Sequence, residues 1–297
     1  MGAARAIGLV LGVAADGVLG DPRRRPPVTA FRRLAHSPAS GAGVAAVAVL
    51  GGLLAERAAR GRPLVQASAT AVTTWAVLGA AGLALDGTEL ARDLEECRLE
   101  PARETLSDLD TRVADGLGPI ALSRASVETL AENTSDVVVA PLVWGAVAGV
   151  PGLLGARAIS LLRRARGGHG RGHWVLSRLD ELVHLVPTRI AAALTVLAAP
   201  VVGGSAGGAW RAWRRDTIAH PSPNAGRVEA AFAGALEVRV GGRTVYPYGV
   251  AELPVLGVGR NPDAGHVTRA VELSRVVGWL AGATAVVLAV LTGLRRR

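Results

Sequence analysis

The chain has 297 residues, half of them hydrophobic and 19% charged, and its 33 basic residues are all arginines, which leaves a formal net charge of +9. The absence of lysine excludes Schiff-base chemistry and a P-loop lysine, so any phosphate must be bound by arginine and backbone N–H groups. The single cysteine, Cys97, excludes an intrachain disulfide and a paired-cysteine metal site.

Long uncharged runs dominate the chain. Ala6–Ala15 predicts a first membrane helix rather than the apolar core of a signal peptide. Each later run is close to or above the roughly 18 to 20 residues that cross a bilayer as a helix; they are Ser37–Ala55, Leu64–Leu85, Val137–Ala156, Ile190–Trp210 and Val276–Leu294. The alternative is a large soluble protein in which these runs are buried helices. We predict an all-α integral membrane protein, a multi-span helical bundle.

The chain shows no internal repeat and no low-complexity linker, so we expect a single polytopic domain over residues 1–297. Polar membrane-face connections 86–136, 157–189 and 211–275 are expected to carry the site. Arginines flank the apolar runs and only 3% of the residues are aromatic, so we expect a lipid bilayer and no nucleic acid as partner. The basic connection Asp21–His36 indicates a cytoplasmic position, and phosphate binding is its other possible use.

The connection 86–136 is acidic and has a helical pattern. Arg124, Glu128 and Glu132 are spaced four residues apart and share one helix face, which ends near Asn133 and Asp136. Two carboxylates one turn apart can hold a Mg²⁺ ion that also binds a nucleotide phosphate. The alternative is an ordinary solvated helix face with an Arg–Glu pair.

The connection 157–189 contains two histidines, His169 and His173, but the glycines around them disfavour a helical metal site. Arg178, Asp180 and Arg189 are better candidates for ligand contacts. An interfacial ion pair between Arg178 and Asp180 is the alternative.

The connection 211–275 carries Arg214-Arg215-Asp216 and then His220-Pro-Ser-Pro-Asn-Ala-Gly226, a polar turn that opens onto a helix of small residues. Asn224 can cap this helix and Gly226 permits close approach of a bound group, so the helix start is a possible anion site. The alternative is a capped helix start with no ligand. Alternating residues around Gly241-Gly242 predict a β-hairpin that covers the site as a lid or platform.

Three blocks together resemble a known family, the adenosylcobinamide-phosphate synthases of cobalamin biosynthesis, also called the CobD/CbiB family. The blocks are Arg124–Leu142, Ser177–Glu181 with Pro187–Arg189, and Arg214–Ala231. The resemblance implies an integral membrane enzyme that joins adenosylcobyric acid to an aminopropanol phosphate. ATP would be cleaved to ADP and phosphate, the carboxylate would be activated as an acyl phosphate, and Mg²⁺ would offset the phosphoryl charge.

Site roles follow from assigning this chemistry to the matching positions. The expected catalytic acids are Glu128, Glu132, Asp136 and Asp180, of which Glu128 and Glu132 are also the Mg²⁺ candidates. The expected substrate-binding residues are Asn133, Arg178, Arg189, Arg215, Asp216, His220, Ser222 and Asn224. Use of ATP implies a site on the cytoplasmic side of the cell membrane, and other membrane enzymes of the pathway are possible partners.

Two departures from the family pattern bear on activity. At Thr111-Arg112-Val113 the arginine is kept and the following acid is lost, and at Ser160–Arg164 an acidic position has become Arg163. A catalytically weakened relative that binds corrinoid or a pathway partner is therefore the alternative function. A transporter is disfavoured because the charged motifs lie at the ends of the apolar runs. If Val137–Ala156 and Ile190–Trp210 both crossed the membrane, the Arg178 block would face the opposite side from the other two blocks. A site that uses all three therefore needs one of these runs to be re-entrant, broken or buried, and Pro141 and Pro151 indicate the first run.

Overall fold

The computed structural model describes residues 2–20, 38–165 and 171–294. It is mostly helical, with one two-stranded antiparallel hairpin, which confirms the predicted fold class. The Asp21–His36 connection and His169 lie outside the described residues, so the predictions made for them stay predictions.

Along the described chain, helices come first, the β-hairpin follows near the C-terminal end, and a long helix comes last. The α-helices are α1 (Gly2–Leu19), α2 (Pro38–Ala58), α3 (Pro63–Val77), α4 (Ala80–Glu95), α5 (Leu99–Leu109), α6 (Pro119–Asn133), α7 (Ala140–Ala148), α8 (Val150–Ala165), α9 (Arg171–Ala198), α10 (Ala206–Asp216), α11 (Ala225–Leu236) and α12 (Ala264–Leu294). A π-helix (Thr134–Val139) and 3₁₀-helices (Ala199–Val202 and Thr217–Ala219) adjoin them, and the strands are β1 (Val240–Tyr246) and β2 (Gly249–Leu256).

Among the described residues, four helical segments are long and apolar enough to cross a membrane, as expected of an integral membrane protein. They are Gly2–Leu19, Pro63–Glu95, Val175–Val202 and Ala264–Leu294. The first contains the predicted Ala6–Ala15 helix, and the last contains the predicted run Val276–Leu294. The second comprises α3 and α4, which are separated at Leu78 and Gly79.

Two of the predicted runs are not single helices. Val137–Ala156 divides between α7 and α8 at Gly149, so the expectation that this run is broken is confirmed. Ile190–Trp210 is also interrupted, because α9 ends at Ala198 and α10 begins only at Ala206. The prediction of 157–189 as a connection was wrong in part, since α8 and α9 cover most of it: the polar residues of α9 precede its apolar part on the same helix.

The chain divides into two compact units. Unit 1 comprises residues 1–82, 136–183 and 279–297. Within it, α1 packs closely on α3, and Gly8 and Gly12 make this approach possible: a Cβ atom on Gly12 would lie 2.4 Å from the Thr74 side chain. Small residues spaced by four let membrane helices come this close.

Unit 2 comprises residues 83–135 and 184–278, and it contains the hairpin. The core of this unit is formed by α6, α10 and α11, with β1 and β2 packed against α11. Alanine and glycine dominate α11, so its backbone lies close to α10 and its core-facing side chains, including Phe232, are fully buried. The helix α6 begins at Pro119, a position where the missing N–H of proline costs nothing.

The hairpin is present, but its turn is not where the sequence placed it. The two strands are joined at Pro247 and Tyr248, while Gly241 and Gly242 lie inside β1 at a register shift. Gly241 has a φ of +91°, and a Cβ atom there would be 2.1 Å from the Pro254 carbonyl oxygen. The glycine pair therefore forms a bulge that re-aims a backbone N–H, rather than a turn.

Candidate functional site

A buried ionic network in unit 2 is centred on Arg112. Its Nη1 donates to Glu128 Oε2 at 2.5 Å, and its Nε donates to Asp110 Oδ2, also at 2.5 Å. The side chains of Arg112 and Glu128 are 7% and 2% exposed. Glu128 Oε1 accepts the backbone N–H of Gly241 at 2.5 Å, so the bulge of β1 is held on α6. The alternative of an ordinary solvated helix face does not hold for Glu128, because its side chain is buried.

The pKa values of this network follow from the pairing. Burial alone would raise the pKa of Asp110, but Arg112 and the hydroxyl of Thr129 outweigh it and lower that pKa. Burial would lower the pKa of Arg112, but the two carboxylates raise it well above its usual value. Asp110 and Arg112 are therefore both charged at neutral pH.

The turn before α11 folds onto its own helix. Ser222 Oγ accepts from the N–H of Ala225 at 3.1 Å, so Ser222 caps α11. Asn224, which was predicted to cap, makes no side-chain cap hydrogen bond; its Oδ1 accepts from Thr188 Oγ1 at 3.4 Å. A Cβ atom on Gly226 would lie 2.4 Å from the His220 ring, so the group that Gly226 admits here is this imidazole.

Glu229 lies behind His220 on α11, and its side chain is 6% exposed. Its Oε2 is 3.5 Å from His220 Nε2, and it shares a hydrogen bond with Glu132 of α6. Burial raises the pKa of Glu229 well above its usual value, and the nearby Glu132 and Glu128 raise it further against the opposing effect of Arg112. Burial lowers the pKa of His220, which its hydrogen bond to Ser222 and the charge of Glu128 only partly offset.

Two predicted catalytic acids, Asp136 and Asp180, come together in unit 1 around Arg163. Arg163 Nη2 donates to Asp136 Oδ2 at 2.8 Å, and its Nε lies 3.0 Å from Asp180 Oδ2. The acids are 11% and 13% exposed. Arg163 is thus the counter-ion of both acids. Asp180 does not pair with Arg178, which donates to Glu181 at 2.6 Å instead.

The remaining predicted binding residues have mixed environments. Asn133 is buried and donates to the carbonyls of Leu109 and Thr129. Arg189 donates to the Leu185 carbonyl within its own helix. Arg215 is exposed and pairs with Asp216, whose Oδ2 also accepts the N–H of Gly257 at 2.8 Å. Asn133 and Asp216 therefore brace the backbone near the site, while Arg189 and Arg215 keep partly open guanidinium groups.

The predicted Mg²⁺ pair does not fit a metal in this arrangement. Both oxygens of Glu128 are used, one by the Arg112 cation and the other by the Gly241 N–H, and Glu132 is hydrogen-bonded to Glu229. A guanidinium at 2.5 Å competes directly with a divalent ion for the same carboxylate. Within the described ranges no cluster of three or more acidic, histidine or cysteine side chains has the geometry to hold a metal ion.

Sequence reasoning assigned no role to Asp110 or Glu229. A signal for Glu229 exists, because a single carboxylate within Val228–Leu236, otherwise alanine, glycine and apolar residues, cannot be buried at no cost unless it has partners. The signal for Asp110 is weaker, since a loop acid two residues from an arginine is common on protein surfaces.

Comparison with known proteins places this arrangement in a family. Residues 9–274 match the model of the "CobD/Cbib protein" family. The cobalamin biosynthesis protein CobD of Mycobacterium tuberculosis is 45% identical over 99% of this chain and 97% of its own length. The CobD proteins of Chromobacterium violaceum and Geobacter metallireducens are 33% and 37% identical, over 97% and 79% of this chain and 98% and 80% of theirs. No solved structure matches the chain significantly. The chain therefore belongs to the CobD/CbiB family of cobalamin biosynthesis proteins.

Proposed function

We propose that the protein catalyses ATP-dependent amide formation between adenosylcobyric acid and aminopropanol phosphate, giving adenosylcobinamide phosphate at the cytoplasmic face of the cell membrane. One observation carries the proposal. The His220 turn and the Glu128 helix, which are distant in sequence, form a single buried acid–imidazole cluster in unit 2. Such a cluster is suited to moving the protons that amide formation releases.

The chemistry divides into activation and transfer. A carboxylate oxygen of adenosylcobyric acid attacks the γ-phosphorus of ATP, and ADP leaves with the bond's electron pair. The neutral amine then attacks the acyl carbon, the new C–N bond forms, inorganic phosphate leaves, and the nitrogen loses one proton and keeps the other as the amide N–H. ATP enters as its magnesium complex, so the metal belongs to the substrate. Partly open arginines such as Arg189 and Arg215 are the groups available to phosphate oxygens.

The test is reconstitution in detergent. The purified protein is given adenosylcobyric acid, aminopropanol phosphate, ATP and Mg²⁺, and adenosylcobinamide phosphate and ADP are measured together. Product formed in step with ADP supports the proposal. No product, while the Mycobacterium tuberculosis relative produces it in the same assay, contradicts it. Omission of the amine separates carboxylate activation from transfer.

A second function is favoured by Arg163 alone. Because Arg163 pairs with both Asp136 and Asp180, neither acid is available as a metal ligand without displacing a guanidinium. A weakened relative that binds corrinoid, or a membrane enzyme of the pathway, would show corrinoid affinity without ADP formation. Equilibrium binding of adenosylcobyric acid, followed by its visible absorbance after gel filtration, distinguishes this case from the synthase.

A further inference from the structure

Glu132, Glu229 and His220 form a contiguous row that starts at a half-buried group and ends in the interior. Glu132 is partly exposed, and it hydrogen-bonds Glu229 behind it. Glu229 Oε2 then faces His220 Nε2 at 3.5 Å, with side chains 6% and 5% exposed. Nε2 has no hydrogen-bond partner among the residues that the structure describes, although it is fully buried.

The contact between His220 and Glu229 is compatible with either tautomer of the imidazole. His220 Nδ1 is 3.1 Å from the backbone nitrogen of Ser222 and 3.2 Å from its carbonyl oxygen. If Nδ1 accepts, Nε2 carries the proton and faces Glu229 as a donor; if Nδ1 donates, Nε2 faces Glu229 as an acceptor. A small approach of Nε2 and Oε2 would form a hydrogen bond if one of the two atoms carries a proton.

The surroundings of Glu229 decide its charge. Glu132 and Glu128 of α6 repel a negative charge on it, and Arg112 favours one, but Arg112 is already paired with two carboxylates. Tyr246 of β1 is half-buried, and desolvation raises its phenol pKa, so it adds no charge at neutral pH. Asp216 of α10 is used by Arg215 and Gly257. Burial and the neighbouring carboxylates therefore favour the neutral form of Glu229, which is hydrogen-bonded to Glu132.

We infer that Glu132 is the general base that takes a proton from the amine of aminopropanol phosphate, and that Glu229 and His220 position it. This inference rests on the proposed function. The substrate arrives as an ammonium; one proton passes to the Glu132 carboxylate, and the neutral amine attacks the acyl phosphate. The C–N bond forms, the C–O bond to phosphate breaks with its electrons on phosphate, and the second amine proton leaves with the product phosphate.

The experiment separates transfer from activation. Hydroxylamine is a weakly basic nucleophile that is neutral at pH 7, so it captures an acyl phosphate as the hydroxamate without a base. We expect Glu229→Gln to form hydroxamate and ADP at the wild-type rate but to lose about 10²-fold or more in amide formation with aminopropanol phosphate. Raising the pH, which supplies neutral amine from solution, should restore part of the amide rate. Glu237→Gln, at an exposed carboxylate that follows α11, is the matched control and should match the wild type on both products.

Each outcome decides a different statement. Amide formation by Glu229→Gln at the wild-type rate and with the wild-type pH profile would overturn this inference and leave the proposed function standing. If wild-type protein formed neither hydroxamate nor amide, the proposed function would fall and this inference with it. If Glu229→Gln lost both products, Glu132→Gln becomes the deciding variant and must keep hydroxamate formation while it loses amide formation. Loss of both products in Glu132→Gln would also overturn this inference. Infrared spectroscopy gives an independent check: the wild type should show a protonated-carboxyl band at neutral pH that is missing in Glu229→Gln, and its absence from the wild type would refute a neutral Glu229.

Discussion

Removing the Glu128 carboxylate should destabilise unit 2 strongly, because two buried groups depend on it. In Glu128→Ala, Arg112 stays buried with Asp110 as its remaining ionic partner, and the Gly241 N–H loses its acceptor. Breaking a buried ion pair from one side costs about 3–5 kcal/mol. A buried N–H without an acceptor costs about 1–3 kcal/mol. These terms overlap because Asp110 and water partly compensate, so we expect a loss of about 4 kcal/mol in the free energy of unfolding.

Glu128→Gln is the informative companion. The amide oxygen can still accept from Gly241 and the side chain keeps its size, but the charge that pairs with Arg112 is gone. We therefore expect an intermediate loss of about 2 kcal/mol. Glu104→Ala, at an exposed carboxylate of α5, removes the same charge without burial and should stay within about 0.5 kcal/mol.

Thermal unfolding in detergent, followed by circular dichroism or by the onset of aggregation, measures these differences in stability. At about 2–4 °C per kcal/mol, Glu128→Ala should lower the midpoint by roughly 10 °C, and Glu128→Gln by about half as much. If Glu128→Ala unfolded within about 1 °C of the wild type, as expected for a surface carboxylate, the network around Arg112 would not contribute as argued.

Three further predictions concern other parts of the chain. The pKa of Glu229 is raised in the folded state, so its stabilising contribution is complete below the unfolded pKa and is lost as pH rises through the folded pKa. Glu229→Gln should therefore be more stable than the wild type at neutral and alkaline pH. Unfolding midpoints measured over a pH series check this, and parallel midpoint-against-pH curves for the two proteins would contradict it. Gly12→Leu should push α1 away from α3 and lower the free energy of unfolding by about 3 kcal/mol. Gly17→Leu on the same helix has open space around it and should lower that free energy little. Thermal unfolding in detergent measures both variants. Arg163→Ala leaves Asp136 and Asp180 without their shared counter-ion and should lower the free energy of unfolding by about 1–3 kcal/mol; an unchanged unfolding midpoint in detergent would refute the pairing.

Apolar runs could be predicted from the sequence because a membrane helix is specified by composition alone. Their interruptions could not all be predicted. Gly149 breaks one run where the prolines at 141 and 151 were expected to act, since both prolines lie in the first turn of a helix, where the missing N–H is tolerated. The hairpin was predicted, but its turn was misplaced: a glycine pair predicts a positive φ equally well for a bulge and for a turn.

The site was harder to predict than the fold because it depends on pairings between distant segments. The prediction that Glu128 and Glu132 share one face of a helix was correct. The spacing of residues along a helix does not show, however, that Arg112 and Gly241 occupy both oxygens of Glu128. Likewise, the His220 turn indicated a ligand site, and the partner that fills the space at Gly226 is His220 itself. Tertiary contacts of this kind leave no local pattern in the sequence.

Charge pairing divides the acids of this chain into two chemical kinds. Asp110, Glu128, Asp136 and Asp180 each have an arginine nitrogen within 3.0 Å of a carboxylate oxygen. Glu229 instead faces Glu132, and its burial together with the nearby Glu132 and Glu128 raises its pKa well above its usual value. Because the chain has no lysine, the cations that pair with the first four acids are arginines, which stay protonated at physiological pH. Among the described residues, we therefore expect proton transfer at the cluster of Glu229, His220 and Glu132.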